Sequence, residues 1–224
     1  MADTAALAAD RDVRLHTHLA ETEDENVFCI AMFGCRPLDY LEQVGWLNDH
    51  VSLVHGIHFT PGEISRLGKA GVGIAHCPGS NMVLASGLCP ALDLERAGSP
   101  VGIGVDGSAP EDASNLMQEA RQALQIQRLR YGAASVSHKD VLLWATACSA
   151  RCLGRNDIGT IAAGKQAELA MLKLDELWCS GAGDPLAALI LCGADGRVID
   201  VEIVGLDVGV LIARHRDAAR AHIN

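Results

Sequence analysis

The sequence predicts an α/β fold built on a parallel sheet. Two observations carry this prediction: four short apolar segments alternate with helical segments between residues 13 and 153, and each of the four contains or precedes a His or Asp at its end. Such alternation is typical of parallel strands joined by right-handed crossovers. Because parallel α/β folds bind their ligands at the carboxyl ends of the strands, these polar residues are expected to lie together there.

The first predicted strand covers residues 13–19, and at period two His16 and His18 share one face of it. Glu21 follows where the strand should give way to a loop. Taken alone, His-x-His is equally compatible with a buried strand whose imidazoles bond to the backbone. The later strands favour a functional interpretation, since segments 51–55, 72–76 and 101–105 lead to His55, His76 and Asp106.

Helices are predicted between and after these strands. Residues 60–63, Thr-Pro-Gly-Glu, combine an N-cap, an N1 proline and a capping-box glutamate, which predicts a helix up to Ala70. Residues 77–81 are predicted to form a loop, and the acidic residues of the helices are expected to face solvent. The other predicted helices cover residues 4–11, 23–33, 37–44, 91–97, 115–131 and 138–153.

The pattern changes after Gly154. A turn-rich segment at 159–165 is followed by strand candidates at 167–174 and 195–204, and residues 208–222 have the pattern of an amphipathic helix. This predicts three parts: an α/β unit at 1–154, a small β-rich unit at 155–205 and a C-terminal helix at 206–224.

Composition narrows the classes of function. The chain has 224 residues, 49% of them hydrophobic, with a net charge of -10 and scattered basic residues, which argues against a nucleic-acid surface. There is no run of about 18 apolar residues, and residues 1–4 do not begin a signal sequence, so a cytoplasmic protein is expected without membrane partners. The eight cysteines form no Cys-x-x-Cys pair, which favours free thiols.

Imidazole and carboxylate groups are the ligands expected for a catalytic divalent ion. His18 and Asp106 could share such an ion if their strands end on the same rim. Glu21 and His55 would then be available to transfer protons beside it. For Asp106 a plain turn at the end of a strand is the alternative.

Four segments resemble motifs of the amidohydrolase superfamily, in the branch of aminohydrolases acting on purines, pyrimidines and s-triazines: 18–21 (HLAE), 53–56 (LVHG), 76–81 (HCPGSN) and 104–108 (GVDGS). Within that branch, further segments are similar to the bacterial 8-oxoguanine deaminase family: 40–41 with 45–47, 55–59, 81–87, 122–132 and 159–170.

This resemblance implies a (β/α)8 TIM-type barrel, of which the chain would supply strands five to eight, with part of a small β-sandwich domain. The family's first-strand His-x-His is not found, and His16 with His18 is a poor substitute. The chain is therefore expected to be the C-terminal part of a longer protein. The abrupt step from Ala194 to Asp195 is compatible with a missing segment.

The resemblance also implies roles for individual residues. His18 would be the metal ligand of the fifth strand, and Asp106 the ligand of the eighth, which also relays a proton. Glu21 would shuttle protons to the ring nitrogen and the departing ammonia, while His55 would orient or polarise the attacked centre. His76 and Asn81 would line the substrate pocket. The cofactor would be one divalent ion, zinc or alternatively iron.

The implied function is hydrolytic deamination of a small-molecule aminopurine, with 8-oxoguanine giving urate and ammonia, by a homo-oligomer. Guanine and s-triazines are the alternative substrates. A non-catalytic fragment with too few metal ligands is the alternative from another class. A flavodoxin-like binding module is disfavoured because no Gly-rich phosphate loop follows any predicted strand.

Overall fold

The computed structural model describes residues 1–107, 114–172, 174, 179 and 181–192, together with the backbone of 198–202. Its strands are β1 (Leu15–Leu19), β2 (Val51–His55), β3 (Gly73–His76), β4 (Val101–Ile103), β5 (Leu169–Leu172) and β6 (Val198–Glu202). Its helices are α1 (Ala2–Arg11), α2 (Glu23–Phe33), α3 (Pro37–Gln43), α4 (Pro61–Ala70), α5 (Pro78–Val83), α6 (Ala91–Ala97), α7 (Leu116–Tyr131), α8 (His138–Leu143), α9 (Ser149–Cys152) and α10 (Pro185–Leu191).

The first four strands form one parallel sheet in the order β1-β2-β3-β4, which confirms the predicted parallel α/β fold. All five residues of β2 are buried, as expected for a central strand covered on both faces. The main hydrophobic core lies between this sheet and its helices and includes Leu53, Leu67, Ile74, Leu94 and Trp144.

Most predicted helix ends are confirmed. Thr60 and Glu63 form the predicted capping box, and α4 ends at Gly71, whose φ of 69° is left-handed. Helix α2 has the predicted bounds, although the Thr22 side chain makes no capping hydrogen bond. Helix α10 was not predicted; Asp184 accepts hydrogen bonds from the N–H groups of its first turn.

Two predicted elements around the strand ends are wrong in detail. Residues 78–83 form helix α5 instead of a loop, because Pro78 occupies its first position and the Glu119 carboxylate accepts a hydrogen bond from the Gly79 N–H at 2.8 Å. Strand β4 ends at Ile103 instead of Val105. The Gly104 N–H still donates to the His76 carbonyl, but Asp106 then turns away with a left-handed φ of 62°.

The predicted helix at 138–153 is divided into α8, a π-helical turn at Trp144–Cys148, and α9. The Ser149 hydroxyl lies at this change, where it donates to the Trp144 carbonyl five residues earlier at 2.7 Å and accepts the Ile103 N–H at 3.0 Å. It thereby anchors the end of β4 to the helix.

After residue 154 the chain forms a separate two-stranded antiparallel sheet, β5 with β6, which confirms strand structure in this part of the sequence. The predicted helix at 208–222 and the step at Ala194 lie outside the described residues. In the described part of the chain, no helix is long and apolar enough to cross a membrane. Seven described cysteines are free thiols: Cys29, Cys35, Cys77, Cys89, Cys148, Cys152 and Cys192.

Candidate metal centre

The backbone turns sharply at three positions at or just after the ends of strands in the parallel sheet. Ala20, His55 and Asp106 have φ values of 55°, 71° and 62°, a region that residues other than glycine rarely adopt. The Ile57 and His58 N–H groups both donate to the Ala20 carbonyl and so join the loops after β1 and β2. These turns fix the directions in which the nearby side chains leave the sheet.

His18 and Asp106 meet across the width of the sheet. His18 Nε2 lies 3.5 Å from Asp106 Oδ1, although β1 and β4 are separated by two other strands. In a flat sheet their backbones would be about 14 Å apart, so the two residues must converge over β2 and β3. The His18 side chain is 58% exposed and the Asp106 side chain 15% exposed, which leaves the imidazole open on one side.

His55 lies between the carboxylates of the site. Its ring is buried, and Nε2 is 3.6 Å from Glu21 Oε2 and 3.7 Å from Asp106 Oδ2. Both distances exceed a hydrogen bond. The other ring nitrogen, Nδ1, is 2.8 Å from Asn81 Oδ1. His18 and His55 are neighbours, with ring centroids 5.2 Å apart.

Asp106 is held in its ionised form by hydrogen bonds. Burial acts to raise the pKa of this carboxyl, but the Ser80 hydroxyl, which donates to Oδ2 at 2.6 Å, and the Gly107 N–H outweigh burial and hold the pKa below its usual value. An ionised Asp106 is the form that can bind a cation.

His76 and Asn81, predicted to contact substrate, are both buried in the described chain. Burial, with a smaller effect of nearby His55, lowers the pKa of His76 from 6.5 to about 4, so this imidazole is neutral at pH 7. Neither of its ring nitrogens has a hydrogen-bond partner among the described residues. Asn81 contacts His55 through its amide oxygen.

The donor set fits a divalent ion. His18, His55 and Asp106 each offer one ligand atom, and these atoms all lie within 4.8 Å of one another. Two ligand atoms at about 2.1 Å from a tetrahedral zinc are about 3.4 Å apart. The 3.5 Å between His18 Nε2 and Asp106 Oδ1 matches that separation. Nitrogen and carboxylate oxygen are also the ligand types that zinc binds.

Two residues that support the site were not identified from the sequence alone. Ser80 was not singled out, because a serine is no metal ligand and its contact with Asp106 depends on tertiary structure. Glu119 was grouped with the acidic residues expected to face solvent, yet it is fully buried and accepts the Gly79 N–H at the start of α5. Its position beside the buried Ala120 and Ala123 was the available signal.

Three titratable residues outside the centre have structural contacts. His16 Nδ1 lies 2.7 Å from the Ser52 hydroxyl, and burial followed by the neighbouring His18 lowers its pKa. His58 joins the Ser86 carbonyl to the Glu23 carboxylate, each at 2.9 Å, and so supports its loop. Cys77 is buried, which raises the pKa of its thiol to about 12 and makes it a poor nucleophile.

Comparison with known proteins identifies the family of this chain. Residues 1–206 match the model of the amidohydrolase family. The chain is a member of the amidohydrolase family. It is 59% identical, over an alignment of 233 positions, to the 8-oxoguanine deaminase of Pseudomonas aeruginosa, covering all of this chain and 52% of that protein.

Two solved structures of zinc-bound enzymes have a fold similar to that of this chain. A zinc-bound adenosine deaminase from Xanthomonas campestris matches with a TM-score of 0.90 and 33% identity, covering the whole chain and 54% of that protein. The zinc complex of atrazine chlorohydrolase TrzN from Arthrobacter aurescens matches with a TM-score of 0.83 and 33% identity, covering 94% of the chain and 49% of that protein. The chain thus spans about half the length of the proteins that it matches.

Proposed function

We propose that the protein carrying this chain is a zinc-dependent aminohydrolase that converts 8-oxoguanine and water to urate and ammonia. The observation that carries the proposal is the convergence of His18 and Asp106 to 3.5 Å, with Glu21 and His55 beside them. The 59% identity to an 8-oxoguanine deaminase over the full chain supports the choice of substrate. Zinc in the two related structures supports the choice of ion over iron.

His18 and Asp106 are the proposed metal ligands. When bound there, a divalent ion would lower the pKa of water and so make a nucleophile available near neutral pH. The described chain offers three ligand atoms in this group. The exposed side of His18 leaves room for further ligands. These could come from another part of the protein, because the related deaminase is longer than this chain.

Glu21 and His55 are the proposed proton-transferring and orienting groups. The Glu21 carboxylate is partly exposed and lies 3.6 Å from His55 Nε2, so it can take a proton beside the ion and deliver it to a ring nitrogen or to the leaving ammonia. Asp106 would relay a proton as well as bind the metal. His55 would orient or polarise the attacked centre, and His76 would line the pocket as a neutral imidazole.

The fold proposal extends the described sheet. Four consecutive parallel strands with functional groups at one end are compatible with half of a (β/α)8 barrel, and we propose that residues 1–154 supply its strands five to eight. The antiparallel β5–β6 pair supports a β-sandwich part at 155–205. The C-terminal helix at 206–224, a homo-oligomeric state and a cytoplasmic location stay predictions.

The test is ammonia release by the complete, zinc-loaded protein with 8-oxoguanine, guanine, adenosine and an s-triazine as substrates. We expect the highest kcat/KM with 8-oxoguanine, together with formation of urate. Release of ammonia from an amino-substituted s-triazine alone would favour the alternative s-triazine substrate. No release from any compound would overturn the proposal and favour a non-catalytic protein.

Two variants at nearby positions distinguish the loss of a proton-transfer group from the loss of a negative charge alone. Glu21→Gln should lower kcat by about 10²–10⁴-fold while zinc stays bound, because it removes a proton-transfer group. Asp24→Asn removes one negative charge from an exposed position in α2 and should leave kcat within about twofold. Equal activity of the two variants would contradict the role of Glu21.

A further inference from the structure

The contact between His55 and Asn81 constrains which ring nitrogen of His55 carries a hydrogen. Its Nδ1 lies 2.8 Å from Asn81 Oδ1, and both side chains are buried. An amide oxygen can only accept a hydrogen bond, so the ring nitrogen that faces it must carry the hydrogen. The other ring nitrogen, Nε2, is then the one that faces Glu21 and Asp106.

We propose that Asn81 is a positioning residue that keeps the proton of His55 on Nδ1, so that Nε2 alone is presented to the reacting centre. This inference rests on the proposed function and gives Asn81 a role different from substrate contact. A histidine with either nitrogen protonated would present an N–H or a lone pair at random to the centre. A fixed Nδ1–H leaves Nε2 available to accept or return a proton.

Asn81 can have this role because α5 is held in place by other contacts. The Glu119 carboxylate accepts the Gly79 N–H at 2.8 Å, and the Ser80 hydroxyl donates to Asp106 at 2.6 Å. The Asn81 backbone is also fixed, since its N–H donates to the Cys77 carbonyl and its carbonyl accepts the Ser86 N–H. Replacing the Asn81 side chain therefore leaves the helix anchored and changes chiefly the contact with His55.

The same short helix serves both sides of the centre. Its residue 80 bonds to a proposed metal ligand, while its residue 81 bonds to the imidazole beside that ligand. His55 itself leaves β2 with a left-handed φ of 71°, so its backbone is fixed by the turn and its ring by Asn81. Two independent constraints on one side chain are what a precisely oriented catalytic group requires.

Three variants of the complete protein test the inference. Asn81→Leu removes the acceptor but keeps the number and branching of the side-chain heavy atoms, Asn81→Asp keeps an acceptor oxygen, and Met82→Leu changes the exposed neighbour in α5 as a control. The tautomer of His55 is determined by 15N NMR of histidine-labelled protein, with its signals assigned by the loss of one set in His55→Gln. This reading needs no substrate, so it remains decisive even if the proposed activity is absent.

We expect the Nδ1–H form in the wild type, in Asn81→Asp and in Met82→Leu, and a mixture of tautomers in Asn81→Leu. With 8-oxoguanine as substrate, Asn81→Leu should lower kcat by about 10–100-fold with KM changed less than about threefold, as for other groups that fix a histidine tautomer. Asn81→Asp should recover part of the lost kcat. An unchanged tautomer in Asn81→Leu, an unchanged kcat, or an effect on KM alone would overturn the inference, the last by assigning Asn81 to substrate contact.

Discussion

Glu63 is a buried carboxylate that joins three segments near the loop after β2. Its two oxygens accept hydrogen bonds from Arg36 Nε at 2.8 Å and Nη2 at 3.0 Å, and from the Thr60 N–H at 2.7 Å. Arg36 also donates to the His58 carbonyl at 2.9 Å. This network fixes the loop that follows His55, so its effect reaches the candidate site through the backbone.

Glu63→Gln should lower the free energy of unfolding by about 1–3 kcal/mol at pH 7, because it weakens charge-assisted hydrogen bonds in a buried site. Glu42→Gln is the matched control, since Glu42 pairs with Arg66 at the surface and its side chain is 56% exposed. That substitution should cost less than about 1 kcal/mol. Urea unfolding of the two variants and the wild type measures the difference, and equal losses would contradict the importance of burial.

The same carboxylate predicts a pH dependence with a definite sign. Burial acts to raise the pKa of Glu63, but hydrogen bonds from Arg36 and Thr60 outweigh it and hold the pKa below its usual value of 4.5. Its contribution to stability is therefore complete above pH 4.5 and is lost as the pH falls through the lower pKa of the folded state. The stability difference between wild type and Glu63→Gln should shrink on acidification, and a difference that grows would refute this account.

Single residues also show what the sequence could predict. His18, Glu21, His55 and Asp106 could be selected because imidazoles and carboxylates at strand ends have few structural uses in combination. The supporting roles of Ser80 and Glu119 could not, because a hydroxyl or a carboxylate on a helix is usually solvated, and only the packed fold shows their partners.

Close packing of helix on helix decides the position of α4. A Cβ on Gly68 would lie 2.0 Å from the Ala97 carbonyl oxygen of α6, a backbone atom that cannot move independently of its helix. The two helices can therefore approach this closely only with glycine at position 68. Since α6 also packs against β3, this contact helps to set the direction of the strand that ends at His76.

Gly68→Ala should destabilise the protein by about 1–3 kcal/mol or more, because the added methyl must push two helices apart. Gly62→Ala provides the control in the same helix, since its nearest neighbour would be Thr60 Oγ1 at 3.9 Å. There alanine should be neutral or stabilising by up to about 1 kcal/mol, as expected from helix propensity. Thermal unfolding measures both, and a similar melting temperature for the two variants would contradict this packing.

At the level of elements, strong local signals gave accurate bounds. Thr60, Pro61 and Glu63 define the start of α4 by chemistry within four residues. The end of β4 depends instead on the turn at Asp106, whose carboxylate accepts a hydrogen bond from Ser80, and the π-helical turn accompanies the contact of Ser149 with the Ile103 N–H. Neither contact is local in sequence, which explains why the strand was predicted too long and the helix too regular.

For the whole molecule, a bound ion would join the two outer strands of the parallel sheet, since His18 belongs to β1 and Asp106 follows β4. Zinc at 100 times its dissociation constant should add about 2.7 kcal/mol to the stability of the complete protein. The melting temperature should therefore fall on chelation and recover with zinc. Asp106→Asn should reduce this zinc-dependent shift, whereas Asp24→Asn should retain it; a shift retained in both would argue that Asp106 is not a ligand.

At this scale the sequence predicted that the sheet is parallel, because alternating strands and helices are compatible with few sheet topologies. The placement of the antiparallel β5–β6 pair and helix α10 was less accessible, since short apolar segments fit a strand or a helix equally well. The family resemblance supplied the expectation of a barrel and of a substrate class, which composition and periodicity do not contain.

The most direct test of the metal centre is a crystal structure of the complete protein. The crystals are grown with zinc, and anomalous diffraction is measured at the zinc absorption edge. The account predicts one anomalous peak about 2.0–2.2 Å from His18 Nε2 and from an Asp106 oxygen, with Glu21 and His55 beside it. A zinc ion bound elsewhere, or bound by neither His18 nor Asp106, would contradict it.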